Sequence, residues 1–492
     1  MPAWHRPKHF DRNLIVIGAG AAGLVSAYLG SALRARVTLI ESGEMGGDCL
    51  NTGCVPSKTL IHAARLMAEQ GRAGEYGIWS APAELDFPRL MARVRESIDH
   101  IAPHDSVERY SKLGVEVIQG RARLHSPWQV AIDTAGGEQR LSARHIIIAT
   151  GARPVIPAIP GIDTVAHVSS ESLWSLQALP RRLAVLGGGP IGCELAQAFA
   201  RLGSEVTIIQ RGPRLLPRED AAVSELLADA LRADGVRIRF NSETRRCEQD
   251  PAGQQQLWLE QDGEAQALPF DLLLCATGRR ANTDGLGLEA LGVALRPDGT
   301  IHTDAWLRSS QPSILACGDV SGPFQFTHTA SHQAWYATVN ALFSGIKRFA
   351  ADYRVIPWVT YTDPEVARVG LNLTEAAAQG IAVELSHYPL KELDRAIIEG
   401  QTRGFVQVLT PPGKDRILGV TIVGAHAGEL LAEFVLAMKQ GIGLNRILGT
   451  IHSYPGWSEA VRNSAGVWRR AHSPAWALRL LERFHRWRRG GG

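Results

Sequence analysis

A short apolar strand, a glycine-rich turn and a helix recur in the same order at two places in this chain, and that repetition restricts the fold more than any other feature. Leu14 to Ile17 runs into Gly18-Ala19-Gly20-Ala21-Ala22-Gly23 and a helical pattern through Arg34. Arg182 to Leu186 runs into Gly187-Gly188-Gly189-Pro190-Ile191-Gly192 and a helical pattern through Leu202. In such a unit Gly18, Gly20 and Gly23, or Gly187, Gly189 and Gly192, let the backbone turn tightly, and the amides at the helix start face a pyrophosphate. Two units imply two dinucleotides. The strand after the first helix, Val37 to Ile40, ends at Glu41, and an acid at that distance suits a ribose hydroxyl pair. The strand after the second, Glu205 to Ile209, ends in Gln210-Arg211. An acid there would favour the free ribose of NAD, whereas Arg211 and Arg214 suit the 2′-phosphate of NADP.

Between the two units lies Gly46-Gly47-Asp48-Cys49-Leu50-Asn51-Thr52-Gly53-Cys54-Val55-Pro56-Ser57-Lys58. In a straight helix, residues five apart have Cα atoms roughly 8 to 9 Å apart, beyond the roughly 4.4 to 6.8 Å that a disulfide tolerates. A bridge between Cys49 and Cys54 therefore needs an irregular first turn. Gly53 permits one through its φ freedom and Pro56 through its place at a helix start. A helix from Pro56 through Met67 is expected to aim its positive end at the thiolates and lower their pKa.

CLNTGCVPSK resembles the redox-active disulfide of the FAD-dependent pyridine nucleotide-disulfide oxidoreductases, closest to the dihydrolipoamide dehydrogenase and mercuric reductase branches, and the similarity runs from about Asn13 to Ala465. The resemblance implies an α/β fold: two dinucleotide-binding (Rossmann-like) three-layer domains plus a C-terminal α+β dimerisation domain. The expected boundaries are 1–155 and 279–350 for the FAD domain, 156–278 for the NAD(P) domain, 351–465 for the dimerisation domain and 466–492 for a tail. It makes the first unit the site of FAD and the second that of NADPH or NADH. Gly192 favours NADH, since NADP members often carry alanine there, while Gln210, Arg211 and Arg214 tip the reading toward NADPH. Thr150-Gly151, after the strand His145 to Ala149, and Gly278, after Asp271, mark the crossovers out of and back into the FAD domain. Asp319 is expected on the ribityl chain, and Thr327-His328 at a helix start facing the flavin. Lys58 and Glu194 are expected to pair beside the flavin's reactive nitrogen, with Cys54 nearest the flavin and Cys49 exchanging with substrate.

Two positions depart from the family pattern. Pro190 stands where many relatives have an aromatic residue over the flavin. In Ile451-His452-Ser453-Tyr454-Pro455-Gly456-Trp457-Ser458-Glu459, Tyr454 holds the place of the catalytic histidine of dihydrolipoamide dehydrogenases, while its partner Glu459 is kept. His452 is a candidate substitute base. The function implied is electron transfer from NAD(P)H through FAD and the Cys49–Cys54 disulfide to a disulfide or dithiol acceptor, in a homodimer. Alternatives are a mercuric reductase-like metal-ion reductase, although no cysteine follows Cys317, a membrane-surface flavoprotein with a quinone or protein acceptor, and a non-catalytic scaffold.

Composition narrows the context. Hydrophobic content of 45% and charged content of 21% over 492 residues suit a protein of two to four globular domains. No apolar run reaches about 18 residues, and the start lacks a signal-peptide core, so a cytoplasmic enzyme is expected, with neither a metal centre nor a nucleic-acid partner. Cys193, Cys247, Cys275 and Cys317 sit singly and read as structural. The net charge of +3 divides into +6 from Val467 onward, where seven arginines face one glutamate, and −3 elsewhere (3 − 6). In that tail Trp476, Leu480, Phe484 and Trp487 fall on one side of a helix, with Arg479, Arg483 and Arg486 roughly opposite. Such a helix can lie peripherally on the inner face of a membrane or cap the protein's own body.

Overall fold

The computed structural model describes residues 4–79, 81, 83–261, 263–343 and 345–490. They form two compact units. One runs to Pro213 and resumes over Asp234–Asp352; the other joins Arg214–Ala233 to the chain from Tyr353 onward.

The first unit contains the same construction twice. Among the described residues, one parallel sheet has the order Val115–Gln119, Val37–Glu41, Arg12–Ile17, the end of Gly137–Ile148, and Ile314–Ala316. The second has the order Arg237–Arg239, Glu205–Ile209, Arg182–Leu186, Leu272–Cys275, His167–Ser169. Both central strands are continuous apolar runs, as burial on both faces requires. An antiparallel meander accompanies each parallel sheet: Arg121–Ser126 and Gln129–Thr134 continue the first sheet through the start of Gly137–Ile148, whereas Glu243–Gln249, Gln255–Gln261 and Glu264–Phe270 form a separate three-stranded sheet. Ala152–Pro154 and Arg279–Ala281 form the two-stranded ribbon that carries the chain between the two constructions and back.

Sequence alone reads Val115 to Gly120, Gln129 to Asp133 and Arg140-Leu141 as short strands of one meander, and three such local expectations change. Val115 to Gly120 does not belong to the meander but edges the parallel sheet, and Arg121–Ser126 takes its place. Arg140-Leu141 and His145 to Ile148 are parts of one twelve-residue strand, Gly137–Ile148, which ends one residue before the expected Ala149. Its exposed first four residues pair antiparallel and its buried end pairs parallel, so its hydrophobic pattern changes midway without a break. The helix expected from Pro56 begins earlier, as Cys54–Arg72.

The second unit is an antiparallel sheet in the order Pro357–Thr360, Glu365–Gly370, Gly419–Gly424, Phe405–Thr410, Glu384–Pro389. Its core joins Val406, Ile422 and Phe434 to Trp468. Glu365–Gly370 and Glu384–Pro389 carry no strong sequence signal, since each holds charged or polar residues. Arg214–Ala233, read from sequence as interior to 156–278, packs in this unit because Arg368, fully buried, pairs with Glu219 at 3.0 Å and Glu375 at 2.7 Å and stacks over Trp358. The unit's body also extends past Ala465: Trp468 is buried, stacks on His472, and His472 bonds Glu384 at 2.8 Å. The last helix, Ala475–Arg488, buries no residue. No helix among the described residues is long and apolar enough to cross a membrane.

Candidate active site

The redox segment is held against the first glycine turn. Gly46 and Gly47 have φ of +91° and +61°, and a Cβ on Gly47 would come within 2.6 Å of the Gly20 Cα. The Gly46 amide donates to the Ala19 carbonyl at 3.0 Å. Cys49 lies in the short helix Gly47–Asn51 and Cys54 is the first residue of Cys54–Arg72, so the irregularity the spacing demands is a break at Thr52-Gly53. Gly53 is needed for a different reason from the one expected. Its φ is −113°, and a Cβ there would stand 2.9 Å from the Asp48 carbonyl oxygen. Crowding, not left-handed φ, excludes a side chain.

Sequence reasoning missed the residues that brace this break. The Asn51 side chain donates to the carbonyls of Met45 and Gly47 at 3.0 and 2.9 Å. The Trp174 indole donates to the Thr52 carbonyl at 2.7 Å. Asn51 lies inside the quoted motif and was open to suspicion, but Trp174 is brought in from 122 positions away and has no local signal.

The two thiols, both free, are polarised in opposite directions. A hydrogen bond from Cys49, the Thr327 hydroxyl and the Lys58 charge together lower the Cys54 thiol to about 6, against burial and Asp48. The same hydrogen bond, with burial, pushes Cys49 far up. The expectation that the helix start would lower both thiols therefore holds in direction for Cys54 alone, because one proton shared between close sulfurs cannot favour two thiolates. Cys54 Sγ lies 3.6 Å from Thr327 Oγ1. Burial raises Cys247 to about 11 and Cys275 and Cys317 to about 12, and raises Cys193 further, which leaves them unreactive thiols at neutral pH.

Lys58 Nζ bonds Glu194 Oε2 at 2.8 Å, joining the helix after the cysteines to the helix of the second glycine turn. Glu194 is 6% exposed. Pro190 is the first residue of that helix. Arg279 ties Asp48 at 2.7 Å to Asp319 at 3.8 Å, and burial lifts the Asp319 carboxyl to about 6. Thr327 begins the helix Thr327–Phe343, and the His328 ring stacks on Phe326 at 5.3 Å. Thr150 is turned to the crossover: its hydroxyl donates to the Asn282 carbonyl at 2.7 Å. Gly151 and Gly278 supply φ of +67° and +135° in the same ribbon.

The two glycine turns superimpose in chemistry. A Cβ on Gly18 would come within 2.5 Å of the Ala149 carbonyl oxygen, and one on Gly187 within 2.4 Å of that of Ala276; Gly23 and Gly192 would strike the Gly18 and Gly187 carbonyls at 1.7 and 2.0 Å. Gly20 and Gly189 precede helices Ala21–Ala32 and Pro190–Arg201, whose first amides have no side-chain cap. These uncapped amides beside a side-chain-free turn fit a pyrophosphate in both places. Glu41 accepts from the Ala19 amide at 2.5 Å, and Gln210 accepts from the Gly188 amide at 2.8 Å. The two accepting side chains differ in charge, and the second helix opens on Pro190 where the first opens on Ala21. Arg211 is exposed beside Gln210, whereas Arg214 belongs to the other unit and donates to the Pro217 carbonyl.

In the second unit Tyr454, 70% exposed, donates its hydroxyl to Asp394 at 2.9 Å, a partner not foreseen from sequence. This bond raises the phenol above its usual pKa. Glu459 begins the helix Glu459–Ala471 and accepts from the Gly456 amide at 3.3 Å. His452, the candidate substitute base, is turned away: its ring nitrogens meet Glu433 at 3.1 Å and the Thr450 carbonyl at 3.1 Å.

The profile of the pyridine nucleotide-disulphide oxidoreductases matches residues 12–334, and that of their dimerisation domain matches 356–465. The chain belongs to this family. It is 34% identical over 459 residues to the dihydrolipoyl dehydrogenase of Chlamydia muridarum, covering 92% of this chain and 96% of that one. It is 33% identical over 454 residues to the mercuric reductase of Bacillus cereus, covering 92% and 71%. The solved structure of the Cu(II) complex of the HOCl-induced flavoprotein disulfide reductase RclA from Escherichia coli superimposes with a TM-score of 0.83 at 29% identity, covering 93% of this chain and 99% of that one. This oxidoreductase is therefore an FAD- and pyridine nucleotide-dependent enzyme that carries the family's dimerisation domain.

Proposed function

We propose that the enzyme moves electrons from NADPH through FAD to the Cys49–Cys54 pair and on to a small disulfide acceptor, which leaves as the dithiol; in reverse the same pair takes electrons from a dithiol. The observation that carries this reading is the opposed polarisation of the two thiols, with Cys54 held as thiolate and Cys49 as thiol. FAD, when bound, supplies the two-electron relay between nicotinamide and disulfide. Gly18, Gly20, Gly23 and Glu41 would hold its ADP half, Asp319 its ribityl chain, and Thr327-His328 the flavin end. Gly187, Gly189 and Gly192 would hold the nicotinamide cofactor. Gln210 and Arg211 support NADPH over NADH, since neither repels a 2′-phosphate.

The protein's own residues divide the work. Lys58 and Glu194 keep a fixed charge pair where charge changes during electron transfer, without reorganisation. Thr327 and Cys49 donate to the Cys54 thiolate. Cys49 exchanges with the acceptor, and its raised pKa means that a base has to take its proton. In a homodimer built on the dimerisation domain, Tyr454 and Glu459 of a second copy would take the base's place. A phenol held by Asp394 accepts protons poorly near neutrality, so dihydrolipoamide itself is a weak substrate on this reading.

A metal-ion acceptor is the second reading, supported by a non-histidine at Tyr454. Anaerobic titration with NADH and NADPH in turn, watching flavin absorbance, followed by turnover with disulfides, metal ions and quinones, tests both. Failure of both nicotinamides to bleach the flavin would end the proposal.

A further inference from the structure

The helix Ala475–Arg488 is placed for a task that the redox chemistry does not use. Its start is fixed, because Trp468 is buried in the core and His472 bonds Glu384 just before it. Beyond that anchor nothing among the described residues covers it: Trp476 is 66% exposed, Trp487 71%, and Leu478, Leu480, Leu481 and Phe484 lie open as well. Capping of the protein's own body, one of the two sequence expectations, is not what this helix does among the described residues.

Its side chains are arranged in bands. At about 100° per residue, Trp476, Trp487, Leu480 and Phe484 span roughly 80°. Arg479, Arg483 and Arg486 stand about 55 to 115° from the centre of that stripe, not opposite it as first read. Arg488 borders the other side. Long guanidinium side chains at the margins of an apolar stripe can reach up to headgroups while the stripe enters the acyl boundary, and tryptophans near both ends suit that depth. The +6 charge from Val467 onward matches an anionic surface. A second copy of the helix is a poor occupant, since face-to-face stripes would bring two arginine margins together. A nucleic acid would leave the tryptophans and leucines in water.

We propose that Ala475–Arg488 docks the enzyme in the plane of an anionic lipid bilayer, with Trp476, Leu480, Phe484 and Trp487 inserted and the flanking arginines on phosphate headgroups. The holoenzyme is tested by sedimentation with vesicles of phosphatidylglycerol and phosphatidylcholine, against phosphatidylcholine alone. Binding is expected to the anionic vesicles, weakened at high salt. Arg483→Gln with Arg486→Gln should weaken it about thirtyfold, from about 1 kcal/mol per basic residue. Trp476→Ser with Trp487→Ser should reduce it comparably. All these positions are exposed, so folding is checked simply by unchanged flavin content. A chain ending at Ser473, which keeps Trp468 and His472, should turn over nicotinamide normally and stay in the supernatant. Equal sedimentation of full and shortened chains, equal binding to neutral vesicles, or a helix-dependent change of oligomeric state without lipid binding would overturn the proposal.

Discussion

Lys58 and Glu194 meet at 2.8 Å although 136 residues separate them. The carboxylate is buried and the ammonium is partly open, so the pair fixes a negative group inside the protein next to a cation that can respond to charge in the site. Glu194→Gln keeps the shape and removes the charge. Turnover from nicotinamide to a small acceptor should fall on the order of a hundredfold, with flavin content unchanged. Stopped-flow measurement of both half-reactions checks this, and unaltered rates would reduce the pair to a structural tie.

The thiol pair sets a pH dependence. Cys54 is depressed to about 6, so its thiolate is complete above that value and lost as pH falls through it. Alkylation of Cys54 in the reduced enzyme should follow that midpoint. Cys49→Ala deletes the first-ranking cause of the shift and should move the midpoint upward. Lys58→Met should move it in the same direction by less. A midpoint that stays in place in Cys49→Ala would contradict the shared-proton account.

Nicotinamide choice is expected to turn on one charge. Glu41 demonstrates that a carboxylate fits the position Gln210 occupies in the second turn. Gln210→Glu should keep the bond to the Gly188 amide yet repel a 2′-phosphate, lowering kcat/KM for NADPH on the order of tenfold or more while sparing NADH. Steady-state kinetics with both cofactors decide it; no change in their ratio would remove Gln210 from the specificity argument.

Tyr454→His, with Asp394 and Glu459 both available to orient the ring, should raise dihydrolipoamide turnover near neutral pH by about 10² and leave artificial acceptors largely unaffected. Rapid turnover by the parent enzyme, unimproved by the substitution, would place it with ordinary dihydrolipoamide dehydrogenases.

Arg368 predicts a stability effect. Its removal leaves Glu219 buried without its cation, a loss of about 3 to 5 kcal/mol. Arg368→Met should therefore lower the Tm clearly, and adding Glu219→Gln should recover much of the loss. Thermal denaturation of the single and double variants tests the pair, and an unchanged Tm in Arg368→Met would mean that the pair contributes nothing net.

What the sequence determined by itself is local or repetitive. Both glycine turns, Glu41 and Gln210 at their strand ends, and the Cys49–Cys54 segment were legible because backbone crowding and helix-start geometry act within a few residues. The start of Thr327–Phe343 came from the family resemblance, and the apolar stripe from Trp476 to Trp487 from helical periodicity, while the exposure of that stripe needed the structure. Only the tertiary structure decided which distant groups meet them. Trp174 on the Thr52 carbonyl, Asp394 on Tyr454, Glu433 on His452 and Arg368 on Glu219 are contacts between segments whose local patterns say nothing of each other. The opposite polarisation of Cys49 and Cys54 belongs to the same class, since it depends on two sulfurs sharing one proton beside Thr327. The long strand Gly137–Ile148 shows the physical limit from the other side. Its two halves pair with different partners, so a pattern read along the chain divides what the hydrogen-bonded ladder holds as one.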